Sequence, residues 1–190
     1  HGLHAGRGRM TRGRLVAVVG PSGAGKDTLI DGARAARPDL AIVRRVITRA
    51  EAAGGEDFEG VSAEEFGRRR AAGEFAVSWQ AHGLSYGIPN AEVEPLFAGR
   101  DVVFNGSRAA LETARAVFPD LRVILVTAPP EVLAARLASR GRETEADIAA
   151  RLGRASFDLP QGIKAVTVPN DGAVETGVAR FLAALQADRG

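Results

Sequence analysis

One segment constrains this chain more than any other. The apolar run Leu15–Val19 leads directly into Gly20-Pro21-Ser22-Gly23-Ala24-Gly25-Lys26-Asp27-Thr28, and Lys26 to Arg37 then follows a helical pattern that stops at Pro38. A buried strand, a glycine-rich turn and a helix in that order make an anion site. The glycines let the backbone curl round a phosphate with its N–H groups inward, and the new helix adds unpaired N–H groups and the positive end of its dipole. Lys26 is placed to reach the β- and γ-phosphates of a nucleotide, so the motif selects ATP as ligand and Lys26 as the group that stabilises moving charge. The residue after such a lysine is normally Ser or Thr, whose hydroxyl meets Mg²⁺. Here it is Asp27, followed by Thr28. A carboxylate is also a hard oxygen donor, so Mg²⁺ has two candidate ligands here, Asp27 and Thr28, and the sequence does not choose.

The rest of the chain alternates short β-like runs with amphipathic stretches, which predicts an α/β fold: a mostly parallel sheet flanked by helices. Strands are expected at Ile42–Ile47, Val102–Phe104, Arg122–Val126 and Ala165–Val168, with a small antiparallel element from Phe75–Gln80 and Leu84–Tyr86. Helices are expected from the capping box Ser62-Ala63-Glu64-Glu65 to about Ala72, and at Asn90–Ala98, Ser107–Val117, Glu131–Ser139, Thr144–Phe157 and Val174–Ala187. With 190 residues, 45% of them hydrophobic, the chain supports one sizeable core. Residues 1–13 read as a disordered leader and 14–190 as a single domain, with an acceptor-binding insert at about 48–98 and a lid at about 136–154.

Composition removes several functions. There is no cysteine, which excludes disulfides and fits a reducing cytoplasm. No apolar run approaches the length of a membrane span. The formal charge of +2 comes from Arg7, Arg9, Arg12 and Arg14 in a segment without acids, so the body is slightly acidic and does not read as a nucleic-acid binder. The pattern does not specify an oligomeric state, monomer or homodimer.

From about Arg14 onward the chain resembles the guanylate kinases, a family of P-loop NTPases. The resemblance lies in the glycine loop, in Thr48-Arg49, Gly55-Glu56 and Gly60-Val61-Ser62, in Gly73-Glu74-Phe75 and Tyr86-Gly87, and in Asn170-Asp171 after the last strand. It implies an arginine-rich lid carrying Arg136, Arg140, Arg142 and Arg151 as catalytic cations, and Asn170 beside the adenine. The guanine-reading groups are missing. Ser78 precedes Trp79 where that family has glutamate, Ile88 and Pro89 follow Gly87, Ala52 replaces a second arginine, and Asn105 and Ser107 replace an acidic pair. These departures, with Gly25-Lys26-Asp27, Ser78-Trp79-Gln80-Ala81-His82-Gly83-Leu84 and Asn105-Gly106-Ser107-Arg108, are similar to ribose 1,5-bisphosphate phosphokinases. That resemblance implies transfer from ATP to ribose 1,5-bisphosphate, giving 5-phosphoribosyl 1-diphosphate in bacterial phosphonate breakdown.

The acceptor, a small phosphorylated sugar, is then expected against Arg49, Ser78, His82, Tyr86, Asn105, Ser107 and Arg108. Arg49 follows a strand end, Arg108 opens a helix beside Ser107, and the Tyr86 hydroxyl can donate to a phosphate. Two other readings stand beside this one: a nucleoside monophosphate kinase with altered selectivity, and a non-catalytic guanylate-kinase-like module that binds proteins. The intact Lys26 loop argues against the latter.

Overall fold

The computed structural model describes residues 12–51, 57–139 and 158–187. Its centre is β1 (Leu15–Val19), buried along its whole length. Such a strand has no polar face because both sides of a parallel sheet are covered. β1 pairs in parallel with β7 (Val102–Asn105) and β8 (Arg122–Thr127). β2 (Ala41–Ile42) and β9 (Val166–Pro169) form the edges, giving the order β2-β7-β1-β8-β9.

Alternation along β1 divides the core in two. Val16 and Val18 face α1 (Lys26–Ala36) and α6 (Val174–Gln186), where they meet Leu29, Ile30, Ala33 and Phe181. Leu15, Ala17 and Val19 face α4 (Arg108–Val117) and meet Leu111, Ala114, Val77 and Trp79. α5 (Pro130–Ala138) follows β8, with Pro130 in its first turn, where no N–H is required.

The second sheet holds β3 (Arg45–Ile47), β4 (Phe58–Gly60), β5 (Phe75–Ala81) and β6 (Leu84–Pro89) in the order β4-β3-β6-β5. β5 and β6 form a hairpin whose two-residue turn, His82-Gly83, has φ of 54° and 73°. Both positive angles match the twist of a tight hairpin. α2 (Ala63–Ala71) starts where the capping box predicts, with Ser62 Oγ accepting from the Glu65 amide at 3.1 Å.

Two expectations are corrected. The run Ile42–Ile47 is not one strand: Ala41–Ile42 joins the parallel sheet, and Arg45–Ile47 crosses to the small sheet beside β6. A short apolar run carries no mark of which sheet it will join. The helix expected over Asn90–Ala98 is α only at Asn90–Val93 (α3) and tightens to a 3₁₀ turn over Glu94–Ala98, where Pro95 can donate no N–H. The expected helix Thr144–Phe157 lies outside the described residues. So does most of the expected leader, but Gly13 is fixed by its amide donating to Leu96 O at 2.8 Å.

Candidate functional site

β1 and β7 run in parallel, so Val19 and Asn105 end at the same edge of the sheet. Open parallel sheets collect their ligands at that edge, because loops diverge there and helices begin there. The glycine loop wraps it on one side. Gly20 has φ of 154°, and a Cβ there would lie 2.3 Å from Val126 O, so only glycine lets the chain turn this close to β8. Gly25, at φ 86°, packs equally tightly on the Asn170 side chain. Lys26 Nζ donates to Gly20 O at 2.8 Å and to Pro21 O at 3.3 Å, which places the ammonium across the mouth of the loop.

The loop is braced from behind. Asn170 is buried, and its Nδ2 donates to Ala24 O at 2.7 Å. Arg136, on α5, donates to Gly23 O at 3.1 Å, Ala24 O at 3.3 Å and Asn170 O at 2.6 Å. Burial and the bond to Ala24 O tie the Asn170 amide to the loop, and the planar fork of Arg136 fits backbone carbonyls and holds the loop in shape. Arg140, Arg142 and Arg151 lie outside the described residues.

Asp27 is exposed on the first turn of α1, and its Oδ1 accepts from Asn105 Nδ2 at 2.7 Å. The strand-end amide therefore orients the loop carboxylate. Mg²⁺ commonly takes one or two carboxylates together with phosphate oxygens and water. Asp27 beside a phosphate loop fits that donor set without further acids. Among the described residues no cluster of three metal-ligating side chains exists. Thr28 is exposed one residue further along α1, and neither it nor Asp27 lines the cavity described below.

Between the loop and the small sheet lies a cavity of about 740 Å³. Gly20, Pro21, Ser22 and Lys26 line the loop side. Asn105, Gly106, Ser107 and Arg108 line the floor where β7 meets α4, and Arg49, His82 and Tyr86 come from the small sheet. The structure thus gathers most of the expected acceptor residues round one space. Ser78 is the exception. It alternates with Val77 and Trp79 along β5 and is not on the cavity wall. Sequence spacing to Trp79 alone does not reveal which of its neighbours lines the cavity: Gln80 does and Ser78 does not.

Arg45, on β3, lines the cavity and was not singled out by its sequence. It is buried to 8% exposure, donates through Nη1 to Asn105 O at 2.9 Å, and its guanidinium lies 5.3 Å from the Tyr86 ring centre. A signal was present: Arg45 and Ile47 share a face of a short apolar run, so it is a charge on a buried face. Tyr86 in turn stacks on Trp79 at 5.4 Å with planes 3° apart. Two buried polar atoms on this wall, Trp79 Nε1 and Ser107 Oγ, have no hydrogen-bond partner. Four permanent cations, Lys26, Arg45, Arg49 and Arg108, face one carboxylate, Glu112, among the described lining residues. No helix among the described residues is long and apolar enough to cross a membrane.

Comparisons with known proteins agree with this geometry. The guanylate kinase family model matches residues 12–176. The chain is 52% identical over 180 residues to the ribose 1,5-bisphosphate phosphokinase PhnN of a Ruegeria species, covering 94% of each. It is 50% identical over 175 residues to a bifunctional ribose 1,5-bisphosphokinase-thymidine phosphorylase of Cupriavidus necator, where the match covers 92% of this chain and 29% of the relative. The crystal structure of guanylate kinase from Anaplasma phagocytophilum superimposes with a TM-score of 0.69 at 18% identity, covering 94% of this chain and 87% of that one, which shows the shared fold. A family model spanning most of the chain and half-identity to a relative of matching length place it together: the chain belongs to the guanylate kinase family, in the branch that holds the ribose 1,5-bisphosphate phosphokinases.

Proposed function

We propose that the chain transfers the γ-phosphoryl group of ATP to the 1-phosphate of ribose 1,5-bisphosphate, giving ADP and 5-phosphoribosyl 1-diphosphate, a step that serves phosphonate breakdown. The observation that carries this reading is the cavity's charge: four permanent cations against one carboxylate, facing the phosphate loop. A polyanionic sugar suits that wall. A guanine base needs acceptors for its N–H groups, and the residue at the corresponding strand position, Ser78, does not line the cavity.

The chemistry asks little of acids and bases. A phosphate monoester has a second pKa of about 6, so the attacking oxygen is already ionised near neutrality. That oxygen bonds to the γ-phosphorus while the bond to the β–γ bridging oxygen breaks, and ADP leaves with the electron pair. The chain must hold two polyanions in line and spread charge over the moving group. Loop amides and Lys26 hold the donor. Arg49, Arg108 and the Tyr86 hydroxyl are placed to hold the acceptor, with His82 at the rim. Asp27, oriented by Asn105, would hold Mg²⁺, which neutralises charge on the β- and γ-oxygens when bound. Arg140, Arg142 and Arg151 are proposed to close over the phosphates and exclude water.

The test is ADP release from Mg-ATP with ribose 1,5-bisphosphate, GMP, AMP, ribose 5-phosphate or no acceptor. Release with the bisphosphate alone, with 5-phosphoribosyl 1-diphosphate as product, is expected. Preference for GMP would replace the acceptor, and silence with every acceptor together with no ATP binding would favour a protein-binding module.

A further inference from the structure

We propose that Glu112 accepts hydrogen bonds from the ring hydroxyls of the acceptor, so that this residue selects a ribose over a 2-deoxyribose; the proposal rests on the acceptor reading above. Glu112 lies on α4, one turn after Arg108, and both line the cavity. It is exposed there, and among the described residues it makes no hydrogen bond or ion pair. Arg108 stands four residues before it, a spacing that lets a helical ion pair form, yet the two do not pair. The carboxylate is therefore available to a ligand.

Charge narrows what it can bind. Lys26, Arg45, Arg49 and Arg108 give the wall its cations, and Glu112 is its one carboxylate among the described lining residues. A carboxylate repels the phosphates that those cations attract, so it serves a different part of the ligand. An ionised carboxylate only accepts hydrogen bonds, and it needs donors. With both phosphates ionised, ribose 1,5-bisphosphate has two donors left, its 2- and 3-hydroxyls. They stand side by side on one face of the ring, an arrangement that the two oxygens of a single carboxylate match. The spacing along α4 agrees. One helical turn rises about 5.4 Å, the scale of a sugar ring, so a phosphate on Arg108 at the helix start brings neighbouring hydroxyls to Glu112. Gln80 lines the same cavity from β5, the strand that packs on α4, and its amide can both donate to a hydroxyl and accept from one.

The full chain, as wild type, Glu112→Gln and Glu112→Ala, is assayed for ADP release from Mg-ATP with ribose 1,5-bisphosphate and with 2-deoxyribose 1,5-bisphosphate. Both substitutions suit an exposed helix position, and thermal melting checks that the fold is kept. The wild type should favour ribose in kcat/KM by about 10- to 100-fold, the range for a hydrogen bond to a charged group. In Glu112→Ala that preference should fall below about threefold, through a loss with ribose rather than a gain with the deoxy sugar. Glu112→Gln keeps one acceptor oxygen without the charge and should fall between the two. A wild type that does not distinguish the sugars would overturn the proposal. So would an equal loss with both, which makes Glu112 a support for Arg108, or a gain with both, which leaves it only a charge that repels phosphates. Turnover of neither sugar by the wild type would instead end the acceptor reading, and this proposal with it.

Discussion

The two walls of the cavity recognise anions by different means. The loop wall presents backbone amides and one lysine, shaped by glycines at Gly20 and Gly25 and braced by Asn170 and Arg136. The small-sheet wall presents side chains: Arg45 behind Tyr86, Tyr86 against Trp79, and Arg49 over the Phe58 ring at 5.7 Å. Backbone amides are the same whatever the sequence, so the loop wall is generic to nucleotide phosphates. Side chains change one at a time, so the acceptor wall is where a shared fold acquires a new substrate. Asn105 joins the two walls, accepting from Arg45 through its carbonyl and donating to Asp27 through its amide.

The sharpest break of this comparison is on the loop side. Lys26→Ala should lower kcat on the order of 10³-fold, as loss of a group that stabilises transferring charge does, with an unchanged circular-dichroism spectrum. Near-normal turnover would remove the loop from the chemistry. Next comes the joint between the walls. Asp27→Ala should raise the Mg²⁺ concentration for half-maximal rate by about 10- to 100-fold, the usual cost of disturbing a metal's immediate surroundings. Moving the carboxylate across the pair, with Asp27→Ser and Asn105→Asp together, should recover part of that loss. An unaltered Mg²⁺ titration in Asp27→Ala would hand the role to Thr28.

Smaller effects separate bracing from binding. Asn170→Ala removes the shorter of two donors to the Ala24 carbonyl, leaving the Arg136 bond at 3.3 Å, and should cost about 0.5–1.5 kcal/mol in urea unfolding. Acceptor binding read from Trp79 emission should stay unchanged, because the damage lies behind the loop wall; a weakened acceptor would join the walls more tightly than described. The smallest effect belongs to the outer edge of the insert. Glu65 is held at a pKa of about 2, first by hydrogen bonding to Arg68 and then to Arg69, and Glu59 is lowered chiefly by its hydrogen bond to Arg69. Depressed carboxyls contribute stability above their unfolded pKa and lose it as pH falls through the folded value. The link between α2 and β4 should therefore be intact at neutral pH and loosen between about pH 4.5 and 2. Trp79 emission followed over that range, with Glu65→Gln as control, measures it; a transition that the control leaves unshifted would place the acid sensitivity elsewhere.

Local chemistry alone made a large share of this molecule legible. Leu15–Val19 followed by glycines and Lys26 can form only a buried strand, an anion loop and a helix, because each step satisfies backbone groups in the one way open to it. The Ser62–Glu65 cap and Pro130 at a helix start are readable for the same reason: their partners lie within four residues. Asp27 stood out because it breaks a local rule. Tertiary structure decided what depends on distant partners. It split the run Ile42–Ile47 between two sheets and turned Ser78 off the cavity wall. It committed Asn170 and Arg136 to bracing the loop, and it buried Arg45 beside Tyr86, a residue 41 positions further along the chain. Sequence fixes which groups a chain can offer, but burial and strand pairing decide where each one points, since both are set by contacts between segments that the sequence places far apart.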